Sequence, residues 1–192
     1  MSAAAALSRR GLLARAGAAG AAAAAGGLLL AGAADSPAQG IVDQSAVVGA
    51  VRLQQALAVA YTGMAARPAV GREVRALLTE LADQERQHAA ALLTLAEYLG
   101  DTPPPAPSFV EVEQALPKIR AVVDRPTALA VLDELERAEI LGFYSDQQIL
   151  GDVKLVQLVG AVMCSDSQHL VLVRQAAGLD PIPSPSETGN LR

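Results

Sequence analysis

His88 and His169 are the only histidines in this 192-residue chain, and each stands three residues after a carboxylate, Glu85 and Asp166 respectively. Side chains at i and i+3 share one face of a helix, so each pair can aim an oxygen and an imidazole nitrogen at one point. Taken singly, such a pair is commonly a solvated contact or a local hydrogen bond. Duplicated in equivalent surroundings, it points to a divalent metal ion, for which carboxylate and imidazole are usual donors. The surroundings are equivalent. Alternating steps of four and three from Val74 give Leu78, Leu81, Glu85, His88, Leu92, Leu95 and Leu99. The same walk from Leu155 gives Val159, Val162, Asp166, His169, Val173 and Ala176. A seam of this kind faces the interior of packed helices. An unpaired charge there costs on the order of several kcal/mol or is neutralised by a shifted pKa, so something must compensate it.

Two further seams carry a polar residue at mid-length. One runs Val47, Val51, Gln54, Ala58, Tyr61 and Ala65; the other runs Leu129, Leu132, Glu136, then Glu139 or Ile140, and Phe143. Gln54 precedes Glu85 by 31 residues and Glu136 precedes Asp166 by 30, while Tyr61 and Phe143 each follow their polar residue by seven. The chain therefore reads as an internal duplication of a helix pair. Glu85, His88, Glu136, Asp166 and His169 are the candidate metal ligands, suited to a di-iron or di-manganese centre in a bundle core. A single zinc or manganese ion is a second reading. A metal-free core in which the five hydrogen-bond one another is a third.

These residues need helices to hold them. Helical periodicity extends over about 45–66, 71–99, 127–150 and 152–177. Arg67-Pro68 breaks the first stretch, Gly100 ends the second, Pro126 opens the third, Gly151 separates the last two and Gly178 closes the fourth. Between the second and third lie Asp101-Thr102-Pro103-Pro104-Pro105 and a segment from Ser108 to about Val123 that can form a short surface helix broken near Pro117. Connections that run short, long, short predict an all-α fold, a ferritin-like four-helix bundle with one long crossover between helices 2 and 3. Aromatics make up 3% of the chain and Trp is absent, so Ala, Leu and Val must supply a closely packed helical core.

On these residues the chain resembles the bacterial ferritin-like domain proteins with a twin-arginine export signal, within the wider ferritin and rubrerythrin group of dimetal carboxylate proteins. Leu53-Gln54-Gln55 running to Tyr61 is similar to the group's first-helix ligand motif. Asp83-Gln84-Glu85-Arg86-Gln87-His88 is similar to its Glu-x-x-His motif, Leu135-Glu136 to its third-helix ligand, and Asp166-Ser167-Gln168-His169 to its second Glu-x-x-His. The resemblance implies bound iron, or manganese or zinc, dinuclear in the family arrangement, and by analogy a homodimer. It also implies an oxidase or ferroxidase activity. Gln54 stands where the group has Glu, and Asp166 is one methylene shorter than Glu, so Glu85, Glu136 and Asp166 supply three charges where four offset two ions. Glu139, one turn beyond Glu136, is the available substitute carboxylate; it reads equally well as a solvated or capping acid. Tyr61 is a candidate hydrogen-bonding or redox neighbour, or a core aromatic.

Ser8-Arg9-Arg10-Gly11-Leu12-Leu13 precedes an Ala/Gly/Leu stretch whose one internal charge is Arg15. It is similar to a twin-arginine signal over residues 1–34, with Ala31-Gly32-Ala33 as a small-x-small cleavage site. An uncleaved membrane anchor over 16–34 is the alternative. The expected division is signal 1–34, linker 35–44, bundle 45–178 and irregular Pro-rich tail 179–192. Export would leave the protein periplasmic, in the cell envelope or extracellular, with transient membrane contact through its signal. The net charge is −5, and −8 without Arg9, Arg10 and Arg15, which argues against nucleic-acid binding. The single Cys164 excludes an internal disulfide and Cys-based zinc or iron–sulfur sites, and is expected as a small buried hydrophobe. Nucleophile constellations and phosphate-cradling glycine loops are absent from the sequence.

Overall fold

The computed structural model describes residues 37–103 and 105–183. The expected signal at 1–34 and residues 184–192 of the tail lie outside the described residues. Five α-helices and no strands occur among the described residues: α1 Pro37–Ala65, α2 Arg72–Tyr98, a short α3 Phe109–Ala115, α4 Arg125–Gln147 and α5 Val153–Ala177. Helix α1 packs along α2 and α4 along α5, and the two hairpins meet through α2 with α5 and α1 with α4.

Local chemistry sets the helix ends. Asp124 opens α4 in a capping box, accepting from Thr127 N at 2.9 Å, with proline in the first turn where no N–H is needed. Asp152 opens α5 by accepting from Lys154 N and Leu155 N. Gly178 closes α5 at φ +72°, a left-handed cap that glycine adopts without strain.

Helix α1 starts at Pro37, eight residues ahead of the expected start at 45, so 37–44 are helix and not linker. The cause is tertiary. Asp43 is 5% exposed and accepts from Gly151 N and Asp152 N, both at 2.9 Å. Gln39 Nε2 donates to Asp43 Oδ1 and to Ile149 O. The turn between α4 and α5 thus docks on the first two turns of α1.

The segment between α2 and α4 also packs more deeply than a surface segment would. Ser108 and Glu111 form a capping box at the start of α3, and Val112, Ala115, Ile119 and Val122 are buried. Arg67, in the turn after α1, donates to Val122 O at 2.7 Å and pairs with Glu113 at 2.9 Å.

Two apolar clusters fill the interior. One gathers Leu57, Tyr61, Met64, Val74, Leu78, Leu81, Leu129, Leu132 and Val173 with Val112, Ile119 and Val122. The other gathers Val47, Val51, Leu92, Ala96, Phe143, Leu155, Val159 and Val162. On every long helix the residues between these sets are the mid-seam polar ones. The core is therefore apolar, polar, apolar along its length. Helix α5 has the length and composition of a membrane-spanning helix, yet its Asp166 and His169 belong to the polar layer. Cys164 is exposed on α5, against the expectation of a buried hydrophobe: it falls between the seam positions Val162 and Asp166, both buried.

Candidate metal centre

All four long helices contribute to the polar layer. Gln54 comes from α1, Glu85 and His88 from α2, Glu136 and Glu139 from α4, and Asp166 and His169 from α5. Gln54, Glu85, Glu136 and Asp166 are 0% exposed, Glu139 and His169 1%. His88 is the most open, with 15% of its side chain exposed.

The five residues expected from the sequence come together. His169 Nδ1 lies 3.3 Å from Glu85 Oε1, 3.4 Å from Glu136 Oε2 and 3.8 Å from Asp166 Oδ1. His88 Nδ1 lies 3.5 Å from Glu85 Oε2 and 3.6 Å from Asp166 Oδ1. Each histidine thus faces the carboxylate of its own helix and that of the other hairpin. The imidazole rings stack with centroids 5.8 Å apart. These separations exceed the roughly 2.7–2.9 Å of a charge-assisted hydrogen bond. The two shortest, 3.3 Å to Glu85 and 3.4 Å to Glu136, match the spacing of adjacent ligands around one ion, about 3.4 Å when metal–ligand bonds are about 2.1 Å.

Orientation of His169 is set from behind. Its Nε2 lies 2.6 Å from Gln84 Oε1, which can only accept, so Nε2 carries a proton and neutral His169 keeps its lone pair on Nδ1, facing the carboxylates. A histidine ligand held this way is a recurrent feature of metal sites. Gln84 sits beside the seam, where the four-and-three walk does not reach. Tyr61 OH donates to Glu136 Oε1 at 2.6 Å, which makes the tyrosine a hydrogen-bonding neighbour as well as a core aromatic.

Glu139 is not solvated. It is buried, and Gln54 Nε2 donates to its Oε1. The seam left 139 and 140 open because steps of three and four from Glu136 both return to the same helix face, and both Glu139 and Ile140 are buried.

Nine side-chain atoms of the layer are buried without a hydrogen-bond partner: Gln54 Oε1, both oxygens of Glu85, His88 Nδ1, Glu136 Oε2, Glu139 Oε2, both oxygens of Asp166 and His169 Nδ1. Several of these atoms face one another as the imidazole–carboxylate pairs above, from 3.3 Å for His169 with Glu85 to 3.8 Å for His169 with Asp166, without closing into short hydrogen bonds. The donor set fits a divalent cation. Glu85, Asp166 and His169 offer one ligand atom each within 4.8 Å of one another, and so do Glu85, Glu136 and Glu139.

Among themselves these groups share protons unevenly. Burial pushes the Glu139 and Asp166 carboxyls well above the usual carboxylate range, and neighbouring carboxylates add to the effect. Burial also raises Glu136, against the opposing pull of His169. Burial opposes ionisation of Glu85 too, but His169 and His88 together hold it below the usual range. For His169, burial disfavours the charge, yet Glu136 and Glu85 outweigh it and lift the imidazole to about 10. The chain matches no family model, no curated protein and no solved structure.

Proposed function

We propose that this protein is an exported ferritin-like four-helix bundle that binds divalent metal in its core, with iron the first candidate and manganese or zinc the alternatives. The observation that carries the proposal is the meeting of nine buried donor atoms without hydrogen-bond partners, from four helices, in one layer. Bundle connectivity supports the ferritin-like description, since residues 99–124 form a long crossover between two short-linked hairpins. In that role Glu85, His88, Glu136, Asp166 and His169 hold the metal. Gln84 fixes the His169 tautomer, Tyr61 orients Glu136, and the two apolar clusters exclude water from either end. Bound iron would supply one-electron chemistry towards dioxygen or peroxide, the basis of an oxidase or ferroxidase activity.

The test is metal analysis of the protein purified from its own host. At least one metal per chain is expected; less than about half would overturn the proposal. Gln54, a neutral amide at a mid-seam position, favours a second reading, a metal-free structural or interaction module of the cell envelope. That reading predicts no metal and a melting temperature indifferent to added iron.

A further inference from the structure

We propose that the end of the bundle at which α1 begins rests on a lipid bilayer, held there by the uncharged segment 16–34 as a retained membrane anchor. The contact is the same with or without metal in the core.

Three parts of the chain meet at this end. Helix α1 starts there at Pro37, and Gln44 Nε2 donates to Leu99 O at 2.8 Å, just beyond the last turn of α2. Asp43 receives the turn between α4 and α5 through Gly151 N and Asp152 N. Large apolar side chains stand open to solvent at each of these termini: Ile41 on α1 at 67%, Tyr98 at the end of α2 at 66% and Val153 at the start of α5 at 67%. Ile149 and Leu150, in the turn between α4 and α5, are half-buried.

Charge at this end is mostly turned inward. Asp43 and Asp152 accept backbone N–H groups, and Lys154 lies over the Tyr98 ring with Nζ 4.4 Å from its centroid. Glu97, in the last turn of α2, stays exposed. A tyrosine with a lysine folded onto it suits the headgroup level, where aromatic rings collect and lysine stems lie along apolar surface with the ammonium in water. The opposite end differs. Val123, Leu179 and Ile182 are exposed there too, but among the exposed Arg72, Glu73, Arg120, Asp124 and Arg125, with Arg125 reaching Ala176 O and Glu73. Desolvating that many charges outweighs the apolar contacts.

The chain itself selects a bilayer as the partner. Residues 16–34 are 19 residues of Ala, Gly and Leu without a charge, close to the roughly 20 that a spanning helix needs. Only Asp35 and Ser36 separate them from Pro37, because 37–44 are helix and not linker. At about 3.6 Å per residue, Pro37 lies no more than about 11 Å from Ala34. Anchoring 16–34 in a bilayer therefore brings the first turns of α1 to the headgroup layer. Ala and Gly bury little apolar area per residue, so the contact at the bundle's end strengthens a marginal insertion.

The chain contains no Trp, so one introduced Trp reports on one place. The full chain carrying Tyr98→Trp is reconstituted into phosphatidylcholine vesicles, with and without bromine on the acyl chains, and compared with Val123→Trp at the opposite end. Tyr98→Trp is expected to show blue-shifted emission and to lose most of it to the brominated lipid. Val123→Trp should keep a water-exposed spectrum and its emission. Adding Ile41→Glu to Tyr98→Trp should recover part of the lost emission, because a charge there keeps the end off the lipid. Circular dichroism checks folding, and Val153→Trp takes the place of Tyr98→Trp if that variant does not fold. Equal quenching at both ends overturns the proposal. So does emission at 98 that bromine leaves unchanged, which would assign this end to a protein partner or to none. Mass spectrometry of the protein from its host's membranes tests the tether: a mass that includes 16–34 is expected, and a chain that starts after Ala33 overturns it.

Discussion

The Tyr61 hydroxyl donates to Glu136 Oε1 at 2.6 Å, leaving Oε2 of that carboxylate 3.4 Å from His169 Nδ1. Burial holds the phenol pKa well above its ordinary value, reinforced by Glu136, Glu85 and Glu139, so Tyr61 stays a donor throughout the neutral range. Tyr61→Phe keeps the ring and removes the donor. The metal-free protein should lose about 1–3 kcal/mol, because a buried acceptor is orphaned, and Mn(II) affinity should fall about 10-fold. Denaturant titration and metal titration check the two effects. If neither moves, Tyr61 is a core aromatic and nothing more. At this scale the sequence was informative wherever a residue lay on an unambiguous seam. Glu85, His88, Asp166 and His169 could be read as interior because every flanking seam position is apolar. Glu139 could not be fixed, since a helix of 3.6 residues per turn lets 139 and 140 face inward together. Gln84 was invisible for a different reason: its importance comes from a contact with another helix 85 residues away in sequence.

Among the elements, the segment between α2 and α4 shows what punctuation can and cannot reveal. Ser108 and Pro117 mark where α3 and the following 3₁₀ turn begin, and both boundaries follow from residue type. What those residues cover does not. Phe109 lies against α1 so closely that a Cβ on Gly63 would sit 2.5 Å from its Cδ2 and Cζ. Gly63 is thus a docking notch rather than a flexible point in α1. Gly63→Ala would normally stabilise a helix interior by about 0.5–1 kcal/mol. Here the overlap with a partly buried ring should dominate, giving a net loss of about 1–3 kcal/mol. Phe109→Leu in the same background should recover part of it, since the smaller side chain leaves room for the methyl group. Thermal melts of the two single variants and the double variant check this, and additive effects would exclude the notch. The start of α1 carries the same lesson. Residues 37–44 carry no strong helical signature, and their helix depends on Asp43 and Gln39 meeting the distant turn at 149–152.

Over the whole molecule, a polar layer divides one core into two apolar clusters, and both hairpins contribute to that layer. Stability and metal binding should therefore be linked, because an ion compensates buried groups that otherwise lack hydrogen-bond partners. At free metal 100-fold above Kd the linkage is worth about 2.7 kcal/mol. For a chain of this size that corresponds to a rise in melting temperature of about 5–10 °C. The effect should depend on pH with a definite sign. In the metal-free protein the His169 imidazole is raised to about 10, so its folding contribution is fully present below the ordinary histidine value and fades as pH rises through 10. Metal requires His169 Nδ1 without its proton, and the raised carboxyls of Asp166 and Glu136 must also give theirs up. Raising the pH thus weakens the metal-free fold while strengthening binding. The gap between metal-loaded and chelator-treated melting temperatures should widen from about pH 6 to about pH 8, with protons released on binding. Calorimetric scans at fixed free Mn(II) test the first part, and titrations in buffers of different ionisation enthalpy test the second. A gap that stays constant across that range, or narrows, would mean that the ion does not displace protons from this layer.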